Sequence, residues 1–408
     1  MVIEGGHVVY AGDRVILDAD SHVMELADFL DNNLVTAERD RFHRGMGFLA
    51  PRFEDGLARA QARRADPAIA VEAEQRLLVD KGWRAIGSFD PIERSRVLDL
   101  LGFDAQLVFP TFSGMFVLPL EGIFEDNAAV TGDVDLLYTW CRALNQAMAG
   151  FCAHDERLLP VGFVSLKDPA RAASVAEEAV ADGCKALWIP STSAGPLAPS
   201  HPEVDCFWEV LERTHTPFVL HVGGSGSFGD PAFHNNDMPL GEQIGDGERM
   251  RSKDFLTIYQ SPAHFLGALI LDGLFDRFPK LRGGCIEQGA GWVVSWMDHL
   301  DYAQRAFQRT EEPLRRLELK PSEYVRRHLK FTPHPGERVG WMMQQAGAEL
   351  FMFSSDYPHP EGGEDPIAKF EAELTDTAPA DRERFYCRNM AELFSRTSEQ
   401  SQHLLRSD

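Results

Sequence analysis

Short apolar runs bounded by turn residues alternate along the chain with longer stretches in which apolar side chains recur at helical spacing. Eight of the short runs are expected strands: Val15 to Asp20, Ala105 to Phe109, Leu159 to Val164, Ala186 to Pro190, Phe218 to Val222, Gly284 to Glu287, Leu329 to Thr332 and Leu350 to Ser354. Pro169 to Asp182, Pro202 to Thr214 and Glu337 to Ala346 carry the helical spacing between them. Runs such as LFMF and PFVL are almost continuously apolar, which suits strands covered on both faces of a parallel sheet. Eight such strands alternating with helices predict an α/β fold, a (β/α)8 TIM barrel with helical insertions on its C-terminal face.

Three stretches break the alternation. Residues 23–95 are charged with a helical pattern and are expected to form an insertion or lid; residues 111–157 are a second excursion, and 223–260 a polar, glycine-rich active-site loop. Each leaves the carboxyl end of an expected strand, the face where barrels of this kind build their sites. With no repeat or linker visible, residues 1–408 are expected to form a single domain with a frayed polar tail at 397–408.

Composition narrows the function classes. A chain of 408 residues, 44% hydrophobic, has enough apolar surface for a large core. Its net charge of −23, with no cluster of Lys and Arg, excludes a nucleic-acid partner. No apolar run reaches the ~20 residues of a membrane helix, and the N-terminal segment lacks the basic-then-apolar pattern of a signal peptide. A cytoplasmic protein is expected. Cys141, Cys152, Cys184, Cys206, Cys285 and Cys387 form no C-x-x-C pair and are expected to be buried thiols in a reducing compartment.

The candidate chemistry lies at strand ends. Asp20 and His22 close the first strand in LDADSH, two apart and so on one face. His221 closes the fifth in PFVLHVGG, Glu287 the sixth in GGCIEQGAG, and Asp356 follows the eighth in FMFSSDYPH. Singly, each has an ordinary reading as a cap, a core histidine or an arginine partner. Together at one mouth they predict a metal site, oxygen-rich and free of thiolate, which favours iron or manganese while leaving catalytic zinc open. Three carboxylates exceed the usual need of one divalent ion and would suit two. His264, at the start of a helix after the fifth strand, is the further candidate ligand. His334, His359 and His234 are candidates for contacts to substrate or to ligands, and Asp356, His359 and His334 are the candidate catalytic set. Phe109, Phe112, Phe116, Trp188 and Trp292 are candidate pocket walls, although aromatic residues in such runs are more often core. His215, His299, His328 and His403 are expected to be structural or exposed.

The segments DADSH, LHVGG, FDRFPKLRGGCIEQGAGW and FSSDYPHPEG resemble the amidohydrolase-related TIM barrels, the group of aminocarboxymuconate semialdehyde decarboxylase and the hydroxybenzoate decarboxylases. The resemblance spans about residues 14–396 and implies the barrel and a metal. Departures are informative. Asp20 stands where the hydrolases carry the first histidine of H-x-H, Glu287 stands where many decarboxylases carry histidine, and Lys185 lies at the wrong end of its strand to bridge two metals. The altered set is similar to a branch of TIM-barrel non-heme di-iron monooxygenases, typified by the platensimycin and platencin diterpenoid hydroxylase of antibiotic biosynthesis. That likeness implies two iron ions held by Asp20, His22, His221, His264, Glu287 and Asp356. It also implies dioxygen, a separate electron donor or reductase, and a hydrophobic, CoA-linked acyl substrate.

Two enzymatic readings therefore stand: a di-iron monooxygenase hydroxylating a C–H bond, and a hydrolase or non-oxidative decarboxylase using one divalent ion, zinc or manganese, with Asp356 as base. A non-catalytic scaffold is opposed by ligand-type residues at four separate strand ends. A homodimer is expected only from the frequency of such assemblies.

Overall fold

The computed structural model describes residues 3–4, 7–120, 133–224, 233 and 252–394. Seven parallel strands pair in chain order: β1 (Leu17–Val23), β2 (Ala105–Pro110), β3 (Leu158–Phe163), β4 (Ala186–Trp188), β5 (Phe218–His221), β6 (Gly283–Ile286) and β7 (Leu329–Phe331). Every residue of these strands is buried, as expected for apolar runs covered by helices outside and packed side chains inside. A small antiparallel pair, Ile3–Glu4 with His7–Val8, precedes them.

The expected strand Leu350 to Ser354 is corrected. Leu350 ends a 3-10 turn (Ala348–Leu350), and the next segment pairs only through isolated parallel bridges, Phe331 with Phe351 and Ser21 with Tyr357. Residues 351–357 nevertheless fill the eighth position. Met352 N donates to Phe331 O at 2.9 Å on one side, while Ala19 N donates to Phe353 O at 3.0 Å and Asp356 N to Asp20 O at 2.9 Å on the other. The ladder is interrupted where Phe353 N donates to Phe385 O at 2.9 Å instead of to a strand, and Asp356 then leaves extended geometry, at φ 54°.

The outer helices follow their sequence signals. Pro169–Asp182 starts behind Asp168, whose carboxylate accepts from Arg171 N, and stops at Gly183 with φ 116°. The second expected helix is a 3-10 turn (Pro202–Val204) running into Asp205–Thr214, and the third spans Val339–Ala346. The stretch 23–95 contains helices Thr36–Met46, Ala50–Ala65 and Pro67–Gln75. It is pinned to the second excursion through aromatic packing: Phe42 meets Phe116, which stacks on Trp140 of helix Val134–Cys152 with centroids 5.5 Å apart. Trp83 also stacks on Phe112, at 4.7 Å. Residues 121–132, most of 223–260 and the tail 397–408 lie outside the described residues. Among the described residues no helix is long and apolar enough to cross a membrane. Five cysteines are buried as expected, and Cys206 is the exception, exposed on helix Asp205–Thr214.

Candidate metal centre

Asp20 and His22 share one face of β1 and are buried, while a register shift between Asp18 and Ser21 leaves buried Asp18, paired with Gln106, on the opposite face. His221 is the last residue of β5. Glu287 follows β6, and Asp356 lies in the eighth segment. Both adopt left-handed backbone, φ 55° and φ 54°. For an L-residue this conformation costs roughly 1–2 kcal/mol, and it is held by specific bonds. Glu287 N donates to Thr332 Oγ1 at 2.8 Å, and Asp356 N to Asp20 O at 2.9 Å. Strain sustained this way belongs to a site more than to a scaffold.

The side chains form two overlapping groups, Asp20–His22–His221–Glu287 and His22–Asp356–His359, each with its donor atoms within 4.8 Å of one another. His22 Nε2 is 3.4 Å from Asp20 Oδ1, 3.6 Å from Asp356 Oδ1 and 4.0 Å from Glu287 Oε2. His221 Nε2 is 3.2 Å from Glu287 Oε2 and 3.5 Å from Asp20 Oδ1. An ion bonded at about 2.1 Å to each donor needs donors roughly 3.0–3.5 Å apart, so the first group fits one ion with small adjustment. Asp20 Oδ1, His22 Nε2 and both carboxylate oxygens of Asp356 are buried with no hydrogen-bond partner among the described residues. Several orphans at one place are expensive unless something else binds there.

Protonation agrees with that fit. His221 Nδ1 donates to Val222 O at 3.0 Å, which leaves the Nε2 lone pair facing Asp20 and Glu287. Burial works to raise the Asp20 carboxyl, but the close approach of His22 and His221 overrides it and holds it well below the usual carboxylate range. Burial and the neighbouring charge of His359 push His22 down to about 4. Burial would lower His359 as well, yet the charge of Asp356 at 3.2 Å wins and raises it to about 9. Asp20 is thus favoured as an ionised donor and His22 as a neutral one, with His359 favoured as a protonated imidazole beside Asp356.

His359 is closer in than its sequence position suggests. Its ring stacks on His22 at 3.9 Å, Nδ1 lies 3.2 Å from Asp356 Oδ1, and Nε2 lies 3.0 Å from Thr111 Oγ1. His334 stands beside the mouth, tilted against Phe255 at 5.1 Å, outside both groups, with burial lowering its basicity. His264 is not brought to the cluster; it is exposed on helix Gln260–Leu271, whose buried face carries Phe265, Leu266 and Leu269 instead. His234 lies outside the described residues. Phe109 and Trp188 flank His221, at 4.4 Å and 5.4 Å between ring centroids. Phe112, Phe116 and Trp292 pack on Trp83, Trp140 and Tyr259. Lys185 is exposed just before β4, far from the mouth.

Several supporting residues escape the sequence reading. Buried Glu25 accepts from the backbone N–H groups of Thr111, Phe112 and Ser113 at 2.9–3.1 Å, which fixes the loop that touches His359. Glu337 accepts from Ala290 N, Gly291 N and His334 N, tying the loops after β6 and β7 together. The only available signal was a carboxylate beside an apolar run, shared by many solvated residues.

A parallel barrel with buried histidines and carboxylates converging at the carboxyl ends of its strands defines the class as a metal-binding barrel. Residues 78–396 match the model of the amidohydrolase family, and the chain belongs to that family. The fold is similar to an amidohydrolase from Mycobacterium avium subsp. paratuberculosis K-10 (19% identity, 94% of this chain and 100% of that one, TM-score 0.68). It is also similar to 5-carboxyvanillate decarboxylase from Novosphingobium aromaticivorans, complexed with manganese and 4-hydroxy-3-methoxy-5-nitrobenzoic acid (18%, 96% and 99%, TM-score 0.61). A third is 2,6-dihydroxybenzoate decarboxylase from Rhizobium (17%, 93% and 98%, TM-score 0.58).

Proposed function

We propose that this chain is a metal-dependent enzyme that uses one divalent ion, manganese or zinc, for non-oxidative decarboxylation of a small aromatic or unsaturated acid. The observation that carries the reading is the convergence of Asp20, His22, His221 and Glu287 on one ion-sized space, with the Asp356–His359 pair beside it. His22 Nε2 faces both groups, and one nitrogen lone pair serves one ion. Manganese and a carboxylated aromatic ligand in a relative of the same fold support the choice of metal and substrate class.

Asp20, His22, His221 and Glu287 would hold the ion. When bound, it supplies an electrophile that anchors the substrate oxygens and offsets developing negative charge. The rest falls to the chain. Phe109 and Trp188 give the ring an apolar wall beside His221. The carbon–carboxylate bond breaks, carbon dioxide leaves, and the electron pair stays on the substrate carbon. That carbon takes a proton from the His359–Asp356 pair, where Asp356 orients Nδ1 and Thr111 holds Nε2. The insertion after β1 would exclude water; Gly82 N already donates to Pro358 O at 2.9 Å, beside Asp356.

One observation favours the second reading. Three carboxylates and three imidazoles are more than a single ion requires, as in a di-iron monooxygenase acting on a CoA-linked acyl group with dioxygen and a reductase. Elemental analysis of protein purified without chelator separates the two. One manganese or zinc per chain, with carbon dioxide released from hydroxybenzoates without oxygen uptake, is the expected result. Two irons per chain with oxygen consumption would replace it by the oxygenase.

A further inference from the structure

Between β1, β2, residues 355–357 and helix Pro91–Leu101 runs a chain of fully buried polar side chains that the reaction does not use. Arg94, on helix Pro91–Leu101, is wholly buried and makes no ion pair with any described residue. Its Nε donates to Gln106 Oε1 at 3.2 Å, and Gln106 Nε2 donates to Asp18 Oδ2 at 2.7 Å. Ser355 completes the line, its Oγ donating to Asp18 Oδ2 at 2.5 Å and its N to Asp18 Oδ1 at 2.8 Å. Asp20 N also faces Asp18 Oδ1, at 3.3 Å. From its other nitrogens Arg94 reaches His22 O at 3.1 Å and Tyr357 O at 3.5 Å, and its guanidinium lies over the Tyr357 ring at 4.9 Å.

Apart from Gly87 O, which Arg94 Nη1 reaches at 3.5 Å, the backbone points this network touches adjoin a metal-competent side chain: Asp20, His22 itself, or Asp356, which lies between Ser355 and Tyr357. The network also lies where the barrel closes. β1 and residues 351–357 meet there through one isolated bridge and a few backbone bonds, in place of a continuous ladder. Asp20 and His22 stand on one side of this seam, Asp356 and His359 on the other, and ion-binding geometry depends on their separation. The Gln106 amide faces a cation with its oxygen and an anion with its nitrogen, so its orientation is set by both ends.

We infer that Arg94, Gln106, Asp18 and Ser355 form a positioning network that holds the two halves of the metal site in register across the barrel seam. The inference rests on the metal-site reading above. A burial role alone would be met by apolar side chains of equal volume at lower desolvation cost; a polar line with fixed polarity specifies one register.

The polarity supplies the test. Gln106→Glu sets two carboxylates face to face, and adding Asp18→Asn restores a donor opposite an acceptor while keeping an oxygen acceptor for Arg94 Nε. The full chain is titrated with Mn2+ alone by calorimetry, and amide exchange over residues 19–23 and 353–359 is followed in metal-free protein. Gln106→Glu is expected to weaken Mn2+ binding by about 10–100-fold and to speed exchange in both segments. The double variant recovers binding to within about threefold and restores protection. Ser355→Ala, which removes one hydroxyl and endangers folding least, is expected to weaken binding about tenfold. Val175→Ala, a buried change on the outer helix Pro169–Asp182, leaves both readouts unchanged. Wild-type affinity and exchange in Gln106→Glu and Ser355→Ala, or a double variant no better than the single, would overturn the network. A wild type that takes up no Mn2+ would sink the metal reading instead, and exchange across the seam would still decide this one.

Discussion

The two ends of the barrel bury ionisable groups to opposite effect. At the base, Lys330 of β7 is buried and fully engaged, its Nζ donating to Glu349 O at 2.6 Å and Glu392 Oε2 at 2.9 Å. His328, just before it, donates from Nδ1 to Leu281 O at 2.8 Å and stacks on Phe275 at 4.4 Å. At the mouth, Asp20, His22 and Asp356 are as deeply buried but keep donor-type atoms with no hydrogen bond among the described residues. A satisfied buried charge is part of the scaffold. Convergent unsatisfied ones mark a place for something the chain does not supply.

The sharpest way to break that contrast is to remove one charge at each end. Asp356→Asn is expected to lower turnover by about 10²–10⁴-fold, with the melting temperature little changed. Lys330→Met should leave turnover within about twofold while costing about 1–3 kcal/mol of stability. Steady-state rates on hydroxybenzoates, paired with denaturant melts, read both. Equal loss of activity at the two ends would mean that burial alone sets the effect and that incomplete bonding does not mark the site.

Acid probes the base. Burial, opposed by the bond to Leu281 O, lowers His328 from 6.5 to about 4. The unfolded chain therefore takes up a proton there before the folded one does. The stability held by neutral His328 is complete above the unfolded value of 6.5 and is lost as pH falls toward 4. Between neutrality and pH ~4.5 this amounts to about 2 kcal/mol. Urea melts of wild type and His328→Gln at both pH values should show a smaller acid loss in the variant. An unchanged loss would remove His328 from the account.

Ligand linkage probes the mouth. At about one hundred times its Kd a bound ion adds about 2.7 kcal/mol to the folded state. Thermal melts with and without Mn2+ should show that gain in wild type and Lys330→Met but not in His221→Ala. A gain that persists in His221→Ala would place the ion elsewhere.

Much of this was legible in residue order, for identifiable reasons. Parallel strands covered on both faces are mostly apolar, so most of the seven stand out as runs despite Asp18, Gln106 and Lys330, and a histidine or carboxylate at the end of such a run is conspicuous. Asp20, His22, His221, Glu287 and Asp356 are found that way, and the structure brings all five together. His264 shows the limit: the start of a helix after a strand says nothing about which face is covered, and the buried face there is apolar. His359 errs in the other direction, because its approach to His22 depends on the left-handed turn at Asp356. Asp18, Gln106 and Arg94 read as ordinary polar residues, since their pairing spans long sequence separations that local pattern does not record.

Backbone strain carries the comparison to its smallest effect. His215, Glu287 and Asp356 are the non-glycine residues with positive φ among those described, at 56°, 55° and 54°. His215 ends helix Asp205–Thr214 near the base, the position where glycine is the usual terminator. The other two are at the mouth. His215→Gly should therefore stabilise the fold by up to about 1 kcal/mol, less whatever its imidazole contributes, with wild-type metal affinity and turnover. Glu287→Gly relieves the same backbone conformation but deletes a carboxylate from the cluster, so any gain in stability should come with weakened Mn2+ binding. Denaturant melts and ion titrations of the two variants separate the roles. If His215→Gly is destabilised and Glu287→Gly binds Mn2+ like wild type, left-handed geometry at the mouth is incidental to the site.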